Sequence, residues 1–173
     1  MMTLAISEVE KLSEQHIVAN FKCGKNSLDH FLRKYALPNQ RVDSSKTWVV
    51  HRDNVVIGYY TLVYGGASLD EMPAALGEDM TSRPIGIMLL ACWAVDKSEQ
   101  GKGIGKALLK DAFLRIVSAA EIGGLKAIVL DAIDDKMAAW YRERGFTDCP
   151  IENPSGKQRL MISIQDVRAS LGM

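Results

Sequence analysis

Three glycines lie close together just before a stretch with helical spacing of apolar residues: segment 99–109 reads EQGKGIGKALL. The first amides of a helix have no intrahelical acceptor, and the helix dipole adds about half a positive charge there. Glycines let the backbone approach a phosphate closely, and Lys102 and Lys106 add positive charge. The loop could therefore hold an anion, although the same glycines would also serve a tight turn.

Two nucleotide-binding motifs do not fit this loop. A Walker loop requires Ser or Thr after Gly-Lys, but Ala107 follows Lys106. A dinucleotide fingerprint requires GxGxxG, and the glycines of GKGIGK are one residue too close together. The motif that remains is Q-x-x-G-x-G from Gln100 to Gly105, which is moderately specific by itself.

The bulk composition is that of an ordinary soluble domain. The chain has 173 residues, 47% hydrophobic and 24% charged, enough for one domain with a core. Its formal net charge is zero, so the whole-chain charge predicts no polyanionic partner. Residues 1–16 include acidic residues where a signal peptide would be apolar, and no stretch reaches the length of a membrane span. We expect no membrane association and a cytoplasmic protein.

Cysteine and histidine spacing argues against disulfides and metal. The cysteines are odd in number and include no C-x-x-C pair, so neither a disulfide framework nor a zinc site is expected. The histidines are scattered without ligand spacing, so no metal is expected. These residues are Cys23, Cys92, Cys149, His16, His30 and His51.

Positive and negative charges are segregated along the chain. Seven basic residues and two acidic ones lie between residues 21 and 52. The basic residues are Lys22, Lys25, Arg33, Lys34, Arg41, Lys46 and Arg52. Between residues 65 and 82 the charged residues are Asp70, Glu71, Glu78 and Asp79. This pattern fits solvated charge, and the basic stretch also fits a surface that binds a polyanion.

Hydrophobic periodicity predicts the elements that would position the loop. Helical spacing predicts a first helix with Ser27 as its N-cap and Pro38 limiting its far end. Runs of β-branched and aromatic residues at 47–51 and 55–64 predict two strands joined by a turn. The nearly unbroken apolar run at 86–96 predicts a central strand buried on both faces.

The second half of the chain reads strand, glycine loop, helix, strand, helix, strand. A buried strand is predicted at 125–132, then a short helix closed by Gly145, then a last strand at 159–164. The strand–helix–strand unit predicts a parallel pair with a right-handed crossover. The sequence therefore predicts an α/β fold: a mixed sheet flanked by helices, in a single domain spanning residues 1–173.

These features together resemble the GNAT N-acetyltransferases. The resemblance rests on Q-x-x-G-x-G after a strand, followed by a strand and a helix ending in YRERGF. It implies that the loop amides hold the pyrophosphate of acetyl-CoA. It also implies that the pantetheine arm lies between strands at 89–95 and 125–131, which splay apart.

The same resemblance implies individual roles. Tyr141 would face the cofactor sulfur and protonate the leaving thiolate, and a strand amide near Trp93 to Val95 would hold the thioester oxygen. In this interpretation Trp140 packs inward and Tyr141 points its hydroxyl at the gap between the two strands. Core packing of both Trp140 and Tyr141 is the structural alternative for this segment. The implied acetyl-CoA-binding residues are Trp93, Ala94, Val95, Gln100, Gly101, Lys102, Gly103, Ile104, Gly105, Lys106 and Asp134.

The resemblance narrows to the GNAT toxins of bacterial toxin–antitoxin modules, the TacT/AtaT class. FKCGKNSLDHFL at 21–32, GYYTL at 58–62 and the Arg83-Pro84 element are similar to this class, and the match covers residues 21–164. Such proteins acetylate the α-amine of aminoacyl-tRNA and so stop translation. The resemblance implies a ribbon-helix-helix antitoxin as partner and a homodimer.

The basic stretch gains a role from this resemblance, because the first helix borders the acceptor site in the class. The residues expected to contact tRNA phosphates are Lys22, Lys25, Arg33, Lys34 and Arg41. Two positions depart from the class pattern. Cys92 stands where many members carry arginine, which would remove a basic contact. Asp134 stands where asparagine is frequent, which would weaken a hydrogen bond to the cofactor arm.

The implied reaction requires no dedicated base. An α-amine has a pKa of about 7.7–8.0, and that of an esterified amino acid lies lower, so part of it is neutral at physiological pH. A rival enzyme function is acetylation of a small amine or a protein N-terminus, with the acidic stretch as a pocket for a polyamine. A rival from another class is a catalytically inactive binding module, against which the intact loop and Tyr141 argue.

Overall fold

The structure is a computed structural model that describes residues 4–79 and 85–173. The Arg83-Pro84 element lies outside these described residues. In chain order the elements are β1 (Glu10–Lys11), α1 (Asn26–His30), a π-helical turn (Phe31–Tyr35), α2 (Ala36–Arg41), β2 (Lys46–Arg52), β3 (Val55–Ala67), a 3-10 turn (Leu69–Glu71), α3 (Ala74–Gly77), β4 (Ile85–Val95), a 3-10 turn (Lys97–Glu99), α4 (Ile104–Ile122), β5 (Ala127–Asp131), α5 (Asp135–Glu143), β6 (Thr147–Asp148), β7 (Arg159–Ser163) and α6 (Ile164–Ser170).

The strands form a mixed sheet in the order β1-β2-β3-β4-β5-β7-β6. β4 and β5 are parallel and are connected through α4, as the strand–helix–strand pattern predicts. The pairs β1–β2, β2–β3, β5–β7 and β6–β7 are antiparallel. The α/β class with a mixed sheet flanked by helices is therefore confirmed.

Residue contacts divide the described chain into two compact units. One comprises the chain up to Val63 together with Ala91–Ala112, and the other comprises Tyr64–Leu90 together with Phe113–Met173. Each unit has its own cluster of buried apolar side chains. The expected cofactor loop belongs to the first unit and Tyr141 to the second.

The start of α1 is fixed by the segment that precedes it rather than by a capping side chain. Lys25 is the N-cap, with extended backbone and no side-chain cap bond, so Ser27 lies inside the helix and the expected cap is wrong. Asp29, with 1% of its surface exposed, accepts the Cys23 N–H at 2.8 Å. A buried carboxylate in the first turn of α1 thus holds the incoming chain.

The helical run also continues past Pro38, where the sequence predicted its end. The backbone is already distorted before α2 begins: Tyr35 has φ −117°, and the Ala36 N–H bonds to the Phe31 carbonyl in the π-helical pattern. Pro38 therefore falls in the first turn of the new helical segment, where a missing N–H is tolerated.

The β2–β3 hairpin packs against this helical run. Asp53 and Asn54 both have positive φ, 46° and 70°, which suits the tight turn expected between the strands. Tyr59 on β3 is fully buried, its hydroxyl donates to the Leu28 carbonyl at 2.6 Å, and its ring meets Phe21 edge-on. Both predicted strands are confirmed, with β3 running further, to Ala67.

A hydrogen-bonded cluster joins β1 to this hairpin. Glu10 Oε1 lies 2.7 Å from His16 Nε2 and 2.5 Å from His51 Nε2. The Nδ1 atoms of these rings accept the backbone N–H groups of Ser13 and Asn54, at 2.9 and 3.0 Å. Because a backbone N–H can only donate, each Nδ1 is unprotonated and each Nε2 carries the hydrogen. Both rings therefore donate to Glu10, which holds the pKa of that carboxyl below its usual value.

The cluster corrects the expectation that the histidines are scattered. The ligand atoms of Glu10, His16 and His51 lie within 4.8 Å of one another, a spacing that could suit a metal ion. Binding a metal through Nε2 would move the hydrogen to Nδ1, where it would face a backbone N–H. The geometry therefore fits a hydrogen-bonded anchor better than a metal centre.

The second unit is built around β5, whose first four residues are buried. β5 begins at Ala127, slightly later than predicted, and pairs with β4 on one side and β7 on the other. Gly86 on β4 packs closely on the connection between α4 and β5. A Cβ added at Gly86 would stand 2.2 Å from the Gly124 carbonyl oxygen. The last predicted strand ends at Ser163, whose side chain caps α6, a helix that the sequence analysis missed.

Within residues 4–79 and 85–173, the structure contains no helix with the length and apolar character needed to cross a bilayer.

The Glu10 cluster makes a stability prediction. We expect Glu10→Ala to lower the free energy of unfolding by about 1–3 kcal/mol, because the buried N–H of His16 loses its acceptor. Glu14→Ala is the matched control, since Glu14 forms an exposed pair with Arg41, and should cost less than about 1 kcal/mol. The Glu10 contribution is present above its unfolded pKa, about 4.5, and should shrink as the pH falls through the lowered folded value. Urea unfolding of both variants at two pH values measures this, and equal costs would contradict the assigned role.

Candidate active site

The glycine loop joins the end of β4 to the start of α4 in the first unit. Gly101 and Gly103 have positive φ values of 81° and 85°, a backbone conformation that residues other than glycine rarely adopt. A Cβ added at either position would have no atom within 4 Å, so the space above both is open. The first bond inside α4 joins the Ala107 N–H to the Gly103 carbonyl, so the amides of the preceding turn receive no acceptor from the helix itself.

Gly105 has a different role from the two glycines before it. A Cβ there would stand 3.5 Å from both Trp93 and Val95, which is ordinary contact distance. The Trp93 indole N–H donates to the Gly105 carbonyl at 2.9 Å. The first turn of α4 is thus packed closely on the end of β4, and the N-terminus of this helix is fixed.

Glu99 holds the glycine loop in place through ion pairs. Its carboxylate is buried and accepts two hydrogen bonds from Arg52, at 2.8 and 3.2 Å, and one from Lys102 at 2.9 Å. These two cations hold the pKa of Glu99 at about 2. The ammonium of Lys102, which was expected to face a ligand, is therefore paired within the chain, whereas Lys106 is exposed.

The side chain of Gln100 turns toward the protein. Its Nε2 donates to the carbonyls of Cys23 and Val95, both at 2.9 Å. An amide nitrogen has two hydrogens, so these two carbonyls account for both donors. The backbone of Gln100 lies at the start of the loop, but its side chain supports neighbouring segments.

The last part of β4 departs from the predicted burial on both faces. Ala91 is exposed, Cys92 and Trp93 are half-buried, and Ala94 is buried. The parallel ladder with β5 ends at the pair Leu89–Val129, and β4 continues beyond it to Val95. The long apolar run that predicted a buried strand therefore includes accessible positions next to the loop.

In the second unit, α5 carries the expected proton donor. Tyr141 is buried, and its ring packs edge-on against Phe146 with centroids 5.3 Å apart. Burial raises the pKa of the phenol well above its usual value, so the hydroxyl is protonated at neutral pH. A protonated phenol is the form that a proton donor needs.

The neighbours of Tyr141 on α5 show one difference from the sequence prediction and one further helix contact. Trp140, expected to pack inward, is half-buried and stacks under the guanidinium of Arg144 at 3.5 Å, so Tyr141 is the residue that faces the core. Asp134 is the N-cap of α5 and accepts the Met137 N–H at 2.8 Å. This carboxylate therefore supports the start of the helix.

The five residues expected to bind tRNA are all exposed, and they lie in the first unit. Three basic residues of the stretch form ion pairs within the chain: Arg41 with Glu14, Lys46 with Asp43, and Arg52 with Glu99. The stretch consequently presents less positive charge than its sequence suggests. The stretch also contains Lys22, Lys25, Arg33 and Lys34, all of which are exposed.

The acidic stretch offers little to a cationic substrate. The Ser68 hydroxyl lies within hydrogen-bond distance of carboxylate oxygens of both Asp70 and Glu71, which share its one hydrogen, and Glu71 also accepts the Ser68 N–H. Asp79 pairs with Lys126 at 3.0 Å. Of the four carboxylates in this stretch, three have partners in the described structure, which weakens the case for a polyamine pocket.

Two thiols are unsuited to covalent catalysis. Burial raises the pKa of Cys23 and of Cys149 to about 11, so both are protonated at neutral pH. The nucleophilic form of cysteine is the thiolate. Neither thiol is therefore in the form that a covalent acetyl intermediate would need at neutral pH.

The sequence analysis missed Glu99 and Asp96 as supports of the loop. Asp96 accepts the Ser98 N–H and hydroxyl and the Lys22 N–H. Its spacing to Ser98 is a local turn signal that could have been recognised. The pairing of Glu99 with Arg52 joins residues far apart in sequence, so local spacing carries no sign of it.

Comparison with known proteins agrees with this geometry. Residues 43–148, more than half of the chain, match the family model described as acetyltransferase (GNAT) domain. A protein of Mycobacterium tuberculosis named tRNA-acetylating toxin is 36% identical over 166 residues, which cover 96% of this chain and 97% of that protein.

Two solved structures share the fold. One is AtaT complexed with acetyl-methionyl-tRNAfMet, with a TM-score of 0.85, 22% identity, and coverage of 96% of this chain and 99% of that chain. The other is a tyrosine-to-phenylalanine mutant of the AtaT toxin bound to acetyl-CoA and the C-terminus of the antitoxin AtaR, with a TM-score of 0.77, 21% identity, and coverage of 97% and 99%. The family match and the 36% identical relative together show that this chain belongs to the GNAT family of acetyltransferases.

Proposed function

We propose that this protein transfers the acetyl group of acetyl-CoA to the α-amine of aminoacyl-tRNA and thereby blocks translation. The observation that carries the proposal is the loop before α4, with two left-handed glycines open to solvent at a helix N-terminus. The choice of substrate is supported by the 36% identical relative, whose name is tRNA-acetylating toxin. The family model matches residues on both sides of the boundary between the units, which supports residues 1–173 acting as one acetyltransferase domain.

The donor site is assigned to the backbone from Gln100 to Lys106. The amides at the start of α4 point along the helix dipole, which favours the charge of a pyrophosphate. Lys106 is the exposed cation next to them. Because Gly101 and Gly103 leave open space, the residues present fit a bound diphosphate. Trp93, Ala94 and Val95 would supply the strand amide for the thioester oxygen, and Asp134 would act through the start of α5.

The proposed reaction is a direct transfer. The neutral amine nitrogen attacks the thioester carbon, the new N–C bond forms as the C–S bond breaks, and the leaving sulfur takes the proton of Tyr141. The amine releases its extra proton to water, and water reprotonates the tyrosinate. Since the amine is partly neutral at physiological pH, no carboxylate base is assigned.

The acceptor side is assigned to the exposed cations around α1. Lys22, Lys25, Arg33 and Lys34 would neutralise tRNA phosphates, and Arg41 would add to this when released from Glu14.

We further propose that a ribbon-helix-helix antitoxin neutralises the protein. We also propose that the protein forms a homodimer and acts in the cytoplasm, where aminoacyl-tRNA is found. An AtaT structure that contains the C-terminus of its antitoxin supports the antitoxin as partner.

The first functional prediction concerns the loop. Gly103→Asp should weaken acetyl-CoA binding by at least about thirtyfold, because a carboxylate would stand at the phosphate position. Gly103→Asn has the same size without the charge and should lose much less. Gly156→Asp, at another glycine with positive φ and open space, is the control for backbone strain. Calorimetry compares the four proteins, and normal binding by a folded Gly103→Asp would refute the assignment.

The second concerns the acceptor surface. Arg33→Glu combined with Lys34→Glu should weaken tRNA binding at least tenfold and leave acetyl-CoA affinity unchanged. The affinity of the parent for tRNA should fall steeply with salt, and the slope should decrease in the variant. Lys11→Glu combined with Lys110→Glu changes the net charge equally and is the control. Equal loss in both double variants would indicate a nonspecific effect of charge.

The third tests the function itself. The purified parent with acetyl-CoA should stop an in vitro translation reaction and yield N-acetylated aminoacyl-tRNA. Tyr141→Phe retains the ring that packs on Phe146 and should bind acetyl-CoA normally, but should transfer about 10²–10⁴-fold more slowly. Tyr64→Phe, at an exposed tyrosine, is the control. Transfer by Tyr141→Phe within about threefold of the parent would make Tyr141 a packing residue.

A further inference from the structure

The segment before α1 is attached to the glycine loop by a set of contacts that we call the clasp. It consists of Lys22, Cys23 and Gly24 on one side and Asp96, Lys97 and Gln100 on the other. The Lys22 N–H donates to Asp96 at 2.9 Å, and the Lys97 N–H donates to the Lys22 carbonyl at 2.8 Å. In a third hydrogen bond, the side-chain amide of Gln100 donates to the Cys23 carbonyl.

Gly24 makes the close approach of the two segments possible. It has a φ of 105°, and a Cβ at this position would stand 3.1 Å from Cε of Lys97. A larger residue would be strained by its backbone and would also push the lysine away. The clasp therefore depends on backbone shape as well as on hydrogen bonds.

The chemistry of the Gln100 side chain argues against direct contact with a phosphate. Both hydrogens of its amide are donated to carbonyls, to Cys23 and to Val95. The group that remains is the amide oxygen, an acceptor, which a phosphate would repel. Through Val95 and Cys23 the side chain instead links the end of the central strand to the basic segment.

We propose that Gln100 is a positioning residue for the acceptor RNA: it sets Lys22 and Lys25 against the donor loop so that their ammonium groups meet phosphates near the aminoacylated end. The inference rests on the proposed function. It assigns the side chain of Gln100 to the tRNA side of the reaction, while its backbone remains part of the donor loop. The lysines it positions are both exposed and lie at the start of the basic stretch.

Gln100→Met tests this, because methionine keeps the length of the side chain and removes both donors. The carbonyls it leaves are solvent-accessible and can bind water, so the variant should fold. We expect the KM for aminoacyl-tRNA to rise about tenfold, with kcat and the acetyl-CoA affinity within about threefold of the parent. Gly24→Ala, which opens the clasp from the other side, should produce the same pattern.

A double-mutant cycle separates positioning from general damage. Lys22→Ala should raise the KM for aminoacyl-tRNA in the parent and have little further effect in Gln100→Met, because the lysine is already displaced. Lys110→Ala, at an exposed lysine of α4, should be additive with Gln100→Met. Additive effects of Lys22→Ala, an unchanged KM, or a loss of acetyl-CoA affinity in Gln100→Met would each overturn the inference.

Failure of the proposed function would look different. In that case the parent itself would not acetylate aminoacyl-tRNA, and hydrogen exchange would still test the clasp. The Lys22 and Lys97 amides should exchange faster in Gln100→Met than in the parent. Unchanged exchange at both amides would overturn the clasp whatever the substrate is.

Discussion

A loop that contains two left-handed glycines can bind an anion through its backbone only if the surrounding structure holds it in place. Gly101 and Gly103 gain access to this conformation at an entropic cost, because glycine loses more freedom on folding than other residues. The buried carboxylate of Glu99, paired with Arg52 and Lys102, supplies much of the restraint. Removal of one partner from such a pair strongly destabilises a protein, since the other charge then stays buried without compensation. These ion pairs fix the loop to the β2–β3 hairpin, while the space next to Gly101 and Gly103 stays open.

The need to hold the glycine loop in place explains how part of the positive charge in this chain is used. Residues 21–52 contain seven basic and two acidic residues, which as a local count indicates a strongly positive surface. Two of the carboxylates that reduce this charge, Glu14 and Glu99, lie outside the segment and reach it only through the fold. The positive surface that remains is concentrated around α1 rather than spread along the whole stretch. A local count thus overstates a charged surface wherever tertiary ion pairs form.

Features governed by local physics were predictable. The hairpin follows from β-branched runs around a turn that accepts positive φ at Asp53 and Asn54, and the parallel pair follows from the strand–helix–strand order. Pro38 was misread because a π-helical turn upstream shifts the proline into a first turn, and sequence gives little sign of such a turn. The Glu10 cluster joins three segments, so no spacing rule indicates it.

The position of the glycine loop between β4 and α4 was predictable, but the contacts of its individual side chains were not. Q-x-x-G-x-G predicts a loop that opens a helix, yet the same motif carries no sign that the side chains of Gln100 and Lys102 bond to groups within the chain. Trp140 and Tyr141 posed a similar difficulty, because adjacent helical residues point only about 100° apart. The chain reversal after Gly145, which brings the Phe146 N–H to the Tyr141 carbonyl, decides that Tyr141 is the buried one.

Two titratable groups show how the same protein sets opposite protonation states. Glu99 is buried with two cations, so pairing outweighs desolvation and keeps it charged. Tyr141 is buried among apolar rings, so desolvation dominates and keeps it protonated. In the proposed reaction the amine is partly neutral in solution, and the proton for the leaving sulfur is already on the phenol. Little acid–base work then remains for the protein, and the demands of the reaction reduce to holding two charged substrates in register. That is a task for backbone amides and fixed lysines, which is where this structure concentrates its supporting contacts.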